Sequence, residues 1–189
     1  MNWKLFALML VVAGMAIPAA SQNTGLEFGA AYNYVHTNAP PGGCTCFGMN
    51  GGSGWAAYRF TPKVAAVAEL SSQHASNTDG SGADLTLTSV MFGPRLQLRN
   101  NARLKPFGQA LIGFSHASGS FAPSKVGFPG SDNSFSAIAG GGVDVSLQKG
   151  FSLRLIEVDY FATQFPNGVN DHQNNLLLSF GVLWQPKRK

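Results

Sequence analysis

Asn174 to Gln185 reads NNLLLSFGVLWQ. Taken with a period of two, Leu176, Leu178, Phe180, Val182 and Trp184 share one face, and Leu177, Ser179, Gly181, Leu183 and Gln185 the other. A strand of about 9–11 residues, apolar on one side and closing on an aromatic ring, suits a tilted β crossing of a bilayer. The pattern predicts a strand that closes a membrane β-barrel against the first strand of the chain.

Working outward, the same alternation recurs, interrupted by clusters of Gly, Pro, Asn, Asp and Ser. It predicts strands at Leu26–His36, Ser53–Phe60, Lys63–His74, Leu85–Arg99, Phe107–His116, Ser134–Leu147 and Phe151–Thr163. In the fourth, Leu85 and Leu87 are out of phase with Val90, Phe92, Leu96 and Leu98, which predicts a bulge near Thr88–Ser89. Pro94 lacks a ladder donor and weakens that strand locally. In the seventh, the parities of Arg154, Glu157 and Asp159 disagree, so it either bulges near Ile156 or leaves one charge outside the bilayer. The fold class is all-β, an eight-stranded antiparallel up-and-down transmembrane barrel.

The connections alternate in length. Thr37–Gly52, Ala75–Asp84, Ala117–Asn133 and Gln164–Gln173 are long; those around Thr61–Pro62, Asn100–Lys105 and Gln148–Gly150 are short. Long loops on one side and tight turns on the other belong to outer-membrane barrels. Residues 1–21 have the form of a cleavable signal peptide, with Lys4, an apolar run from Leu5 to Ala16, Pro18, and small residues Ala19 and Ser21 before Gln22. The mature domain is then 22–189, exported to the bacterial outer membrane.

Of 189 residues only 12% are charged, and 23 are glycine. No run of about 18 apolar residues follows the leader, which excludes helical spans. The formal charge of +4 could suggest nucleic acid, but the basic residues do not form a stripe. Lys63, Arg99, Arg103, Lys105, Lys149 and Lys187–Lys189 gather at the short-turn rim, while Asp79, Asp84, Asp132 and Asp171 lie on the long-loop side with Lys125. Without interleaved bases and aromatics there is no nucleic-acid readout.

One strand face carries Leu, Phe, Tyr, Val and Ala; the other carries Gly, Ser and Gln with Glu27, Arg59, Glu69, Arg95, Asp144, Arg154, Glu157 and Asp159. Charges facing lipid are costly, and an eight-stranded barrel has room inside only for side chains. These eight residues are predicted to face inward and pair in a polar network that plugs the lumen. The opposite arrangement, a soluble exported lipocalin-like barrel binding an apolar ligand, needs the faces inverted.

With the strands placed, the chain resembles the OmpA-like/OmpX-like family of eight-stranded outer-membrane barrels. The likeness rests on Phe92-Gly93-Pro94-Arg95, Lys105-Pro106-Phe107-Gly108, Val158-Asp159-Tyr160 and Leu178-Ser179-Phe180-Gly181-Val182. It implies membrane insertion and loop display without a reaction or a cofactor. The expected partners are outer-membrane lipid, lipopolysaccharide and, through the loops, an extracellular ligand; the chain is expected to be a monomer.

Three other features bear on chemistry. His36, His74, His116 and His172 sit on the long-loop side, but no metal-binding spacing joins them. His74-Ala75-Ser76-Asn77 is similar to the His-x-Ser-Asn segment of lipid A deacylases, which would make Ser76 the nucleophile and His74 its base. Asp84 is then the local candidate for the orienting acid. Cys44-Thr45-Cys46 in the first long loop gives two thiols that export would oxidise, as a loop staple or between molecules. Gly140-Gly141-Gly142 has no phosphate-loop spacing and is expected to let side chains pack in the lumen.

Overall fold

A computed structural model describes residues 25–37, 46–78, 83–98, 103–120, 130–148, 150–166 and 171–186. Residues 1–24, with the leader and cleavage site predicted there, lie outside the described residues. The strands are β1 (Gly25–His36), β2 (Gly48–Arg59), β3 (Val64–Thr78), β4 (Ala83–Gln97), β5 (Leu104–Ser118), β6 (Ser131–Ser146), β7 (Phe151–Thr163) and β8 (Gln173–Trp184). They follow one another as antiparallel neighbours around a closed barrel. The closing seam pairs β1 with β8 from Phe28 opposite Trp184 to His36 opposite Leu176. Closure satisfies the backbone of both edge strands, which a bilayer requires.

Alternation decides which face meets lipid. Leu70, Phe92, Ile112 and Phe114 are each more than half exposed, while Arg95 and Arg154 are 1% exposed. An outer wall of Leu, Phe, Val, Tyr and Ala around a charged interior is stable only with hydrocarbon outside it. The inverted, ligand-binding arrangement is therefore excluded.

The bulge on β7 is present. Its pairing with β8 shifts register between Arg154 and Glu157, so Leu155 and Ile156 both face outward while Arg154, Glu157 and Asp159 all face inward. The bulge expected near Thr88–Ser89 is absent: the ladders run without a register shift from Val64–Leu96 to Ala75–Leu85 and through the pairing with β5. Leu87 simply faces inward and is buried. Its place is an apolar layer that crosses the lumen near the long-loop end, formed by Val35, Met49, Ala75, Leu87, Ala117, Phe161, Phe165 and Leu177. An apolar residue at this height does not mark the lipid face. Pro94 is accommodated on β4 opposite Ala66, and the pairing with β5 passes from Phe92 to Arg95 without it.

Several strands run further than the apolar alternation indicates. β2 starts at Gly48, pairing His36–Gly48 through Tyr32–Gly52 with β1. β3 and β4 continue to Thr78 and Ala83, so their connection spans only 79–82, as short as the 60–63 turn opposite. Beyond the apolar band the ladder is held by polar cross-strand pairs, including Ser72 Oγ–Thr88 Oγ1 (3.2 Å) and His74 Nδ1–Thr86 Oγ1 (3.0 Å).

Candidate functional site

The eight inward charges predicted from parity are all buried, at 8% exposure or less. Seven of them, all but Glu69, are joined with two glutamines into one chain of contacts across the lumen. Arg59 Nε donates to Glu27 Oε2 (3.0 Å) and its Nη2 to Gln97 Oε1 (3.0 Å). Glu27 accepts a second donor from Arg95 Nη1 (3.2 Å). Arg95 then donates from Nε and Nη2 to Gln109 Oε1 (3.0 and 2.8 Å). The amide of Gln109 passes the chain on to Glu157 (2.6 Å) and Asp159 (3.3 Å). Arg154 closes it, donating to Glu157 Oε2 (2.8 Å) and to Asp144 Oδ1 (3.0 Å). Glu69 lies buried on β3 beside this chain.

Five carboxylates (Glu27, Glu69, Asp144, Glu157, Asp159) thus share the interior with three guanidinium groups (Arg59, Arg95, Arg154). Charge-assisted hydrogen bonds of this kind are the strong ones, and a low-dielectric interior magnifies both their formation and their loss.

Two aromatic rings complete the network. Arg154 lies 4.4 Å from the Trp55 ring centre and 4.3 Å from that of Phe107; Arg95 lies 5.4 and 5.1 Å from the same rings. Cation–π attraction is worth about 2 kcal/mol when such a contact is desolvated. Small residues make the room. A Cβ on Gly29 would meet the Trp55 indole, and one on Gly140 the Asp159 carboxyl. Gly142 faces Glu157 across the ladder, so the Gly140–Gly142 run serves lumen packing. Above the charges, Ser89, Ser115 and Ser136 bond in series at 2.7 Å each. Trp55, Phe107, Gln97 and Gln109 share the parity of the charges, and that parity is the only signal that could have found them.

The space left at the short-turn mouth is small. About 30 Å³ remains between Glu27, Arg59, Gln97, Lys105 and Asp144, room for a water molecule or two but not for a column of them.

The other candidate residues lie outside the lumen. His36, His74, His116 and His172 are exposed on the long-loop side, and no group of metal-binding side chains occurs among the described residues. His74 and Ser76 point outward from β3, with exposed Asp84 on neighbouring β4. The His74 Nδ1 that an orienting acid would hold is bonded to Thr86 instead. Cys46 is exposed just ahead of β2, whereas Cys44 and any bond it makes lie outside the described residues. Lys63 and Arg103 are exposed at the short turns, and Asp84, Asp132 and Asp171 flank the opposite end. Arg99, Lys149, Lys187–Lys189, Asp79 and Lys125 lie outside the described residues.

A closed eight-stranded barrel with an apolar exterior and an ion-paired interior defines a β-barrel membrane protein. The sequence matches the family model of the outer membrane protein beta-barrel domain over residues 5–182; the chain belongs to that family. No curated protein sequence matches it. Among solved structures it is similar to Neisserial surface protein A, with a TM-score of 0.63, 15% identity, and coverage of 85% of this chain and 96% of that one. The N-terminal barrel of Pseudomonas aeruginosa OprF gives a TM-score of 0.50 at 14% identity, covering 85% and 98%. Pseudomonas aeruginosa OprG gives 0.50 at 14%, covering 86% and 96%. At these identities the likeness is one of fold. The family places the protein in the bacterial outer membrane.

Proposed function

We propose that the protein is a monomeric, non-enzymatic outer-membrane barrel with a plugged lumen. It is exported by the 1–21 segment, sits among phospholipid and lipopolysaccharide, and binds an extracellular ligand or reinforces the membrane through its loops. The observation that carries the plugged reading is the continuous contact chain from Arg59 to Asp144, capped by the apolar layer from Val35 to Leu177. An ion crossing the barrel would have to break several charge-assisted bonds and then pass a mostly apolar layer, where the buried amides of Gln73 opposite Leu87 and Asn175 opposite Phe161 are too few to replace its hydration, a desolvation cost of several kcal/mol. Purified barrel in planar bilayers is expected to show no open-channel steps. Stable steps that survive purification to a single heat-modifiable band would overturn the plug.

A hydrolase reading is kept alive by the shared outward face of His74, Ser76 and Asp84. The non-enzymatic reading expects Ser76→Ala to leave the acylation pattern of lipid A unchanged in cells expressing the protein. A deacylated species made by the parent and missing in the variant would replace it with the hydrolase.

A further inference from the structure

The outer wall changes character abruptly on one half of the barrel. On β2–β6 the paired outward row Gly54, Leu70, Val90, Phe114 and Phe135 is apolar apart from its glycine. The next row toward the long loops is Gly52, Ser72, Thr88, His116 and Asn133, and the one after it Asn50, His74, Thr86, Ser118 and Ser131. Apart from Gly52, the outward side chains of these two rows are hydroxyls, amides or imidazoles.

Neighbours bond in pairs. Ser72 meets Thr88 at 3.2 Å, His74 Nδ1 meets Thr86 Oγ1 at 3.0 Å, and His116 Nδ1 meets Asn133 Oδ1 at 2.9 Å. Each imidazole is held by its near nitrogen, which leaves Nε2, the far one, to the surroundings. Because Asn133 offers an oxygen, His116 Nδ1 donates, and its Nε2 is an acceptor in the neutral ring. Directly below, Phe114 and Phe135 form an edge-to-face pair with centroids 6.3 Å apart.

The other half of the wall is built differently. Tyr32, Tyr34 and Tyr160 lie on β1 and β7, with Tyr32 stacked on Phe180. The Tyr32 and Tyr160 hydroxyls donate to Asn50 and Asn174. Tyrosines at this height anchor a barrel in any lipid. An array of paired hydroxyls, amides and imidazoles above an aromatic pair matches a narrower class of molecule, one with several hydroxyls immediately above acyl chains.

We infer that the β3–β6 face from Ser72 to Asn133 is a binding site for the saccharide headgroup of an outer-leaflet glycolipid, whose acyl chains run down over Phe114, Phe135 and Val90. This rests on the outer-membrane placement but not on the plug. No lysine or arginine stands in these rows, which suits sugar hydroxyls better than phosphate, so a sugar rather than an anion sets the affinity.

The test uses the full mature barrel in nanodiscs of phosphatidylethanolamine, with and without lipid A. Glycolipid retained per heat-modifiable barrel is measured after detergent washing, for the parent, His74→Ala/His116→Ala and Tyr32→Phe/Tyr160→Phe. About tenfold less retention in the histidine variant, with the tyrosine variant like the parent, is expected. Equal retention in all three, or equal loss in both variants, would overturn the site in favour of a general interfacial belt. Imidazole resonances of the parent in lipid A-free discs should move on adding a soluble glucosamine disaccharide and stay put with inorganic phosphate; the reverse would make it an anion site and overturn the saccharide assignment. Loss of the heat-modifiable band in the parent itself would count against the membrane barrel, a failure separate from any of these.

Discussion

Arg154→Ala is expected to destabilise the folded barrel by about 3–5 kcal/mol, the cost of removing one partner from a buried ion pair. Arg154 has a fully buried side chain held by Asp144 at 3.0 Å and Glu157 at 2.8 Å. It also lies on both Trp55 and Phe107. Truncation leaves two carboxylates without their cation in an interior that already carries more acids than bases, and opens a void beneath the two rings. Arg154→Lys keeps the charge but loses the planar fork that reaches both acids, so it should fall between parent and alanine. The triple change Arg154→Met, Asp144→Asn, Glu157→Gln removes charge from all three positions together. It should recover much of the loss, because replacing a buried ion group is far cheaper than orphaning one member. Urea titrations in lipid vesicles, followed by the heat-modifiable band, would measure all three. An alanine variant within about 1 kcal/mol of the parent would show that solvent or a rearranged neighbour already serves the acids.

Much of this fold is legible in the sequence because a membrane barrel is the case in which alternation has the least competition. Every strand must show lipid one face, so Phe92, Ile112 and Val182 declare the outside, and a charge such as Glu27 or Arg95 declares the inside. The bulge on β7 is legible for the same reason: three charges at conflicting parity can all face inward only if one residue is inserted between them. Where the bilayer ends, the signal ends. His74, Thr86 and Asn133 continue strands past the apolar band by side-chain pairing, and no hydropathy pattern marks such residues as strand. Leu87 misleads in the opposite sense, since an apolar residue near the long-loop end belongs to the lumen layer with Met49 and Phe161.

Parity also gives a face and not a partner. It brings Glu27 and Arg95 into the same interior, but that Glu27 reaches across to β4 as well as to β2 depends on barrel closure and stagger. The gap that Gly29 leaves for Trp55 is a matter of close approach across one ladder step, which becomes visible only once the register is known.

The position of the bilayer on the wall can be tested with two substitutions on one strand. On β5, outward residues run from Leu104 to Phe114 as an apolar set, with Ala110 exposed near its middle; His116 and Ser118 follow on the same face. At a rise of about 3.3 Å per residue and a tilt of about 40°, the apolar set spans roughly 25 Å of height, the thickness of the apolar band on outer-membrane barrels. Ala110→Arg then puts a guanidinium at the middle of the hydrocarbon, where it should cost about 2–4 kcal/mol; Ser118→Arg, two strand periods above Phe114, should cost about 0–1 kcal/mol. Both changes add the same long side chain to a small outward residue, so their difference isolates depth from bulk and from strand propensity. Equal costs, or a costlier Ser118→Arg, would mean that Ala110 is not in lipid, and the apolar exterior would need some other cover. The expected order instead ties the polar rows of β3–β6 to the headgroup layer, the one place where hydroxyls and imidazoles on an outer wall can meet a sugar.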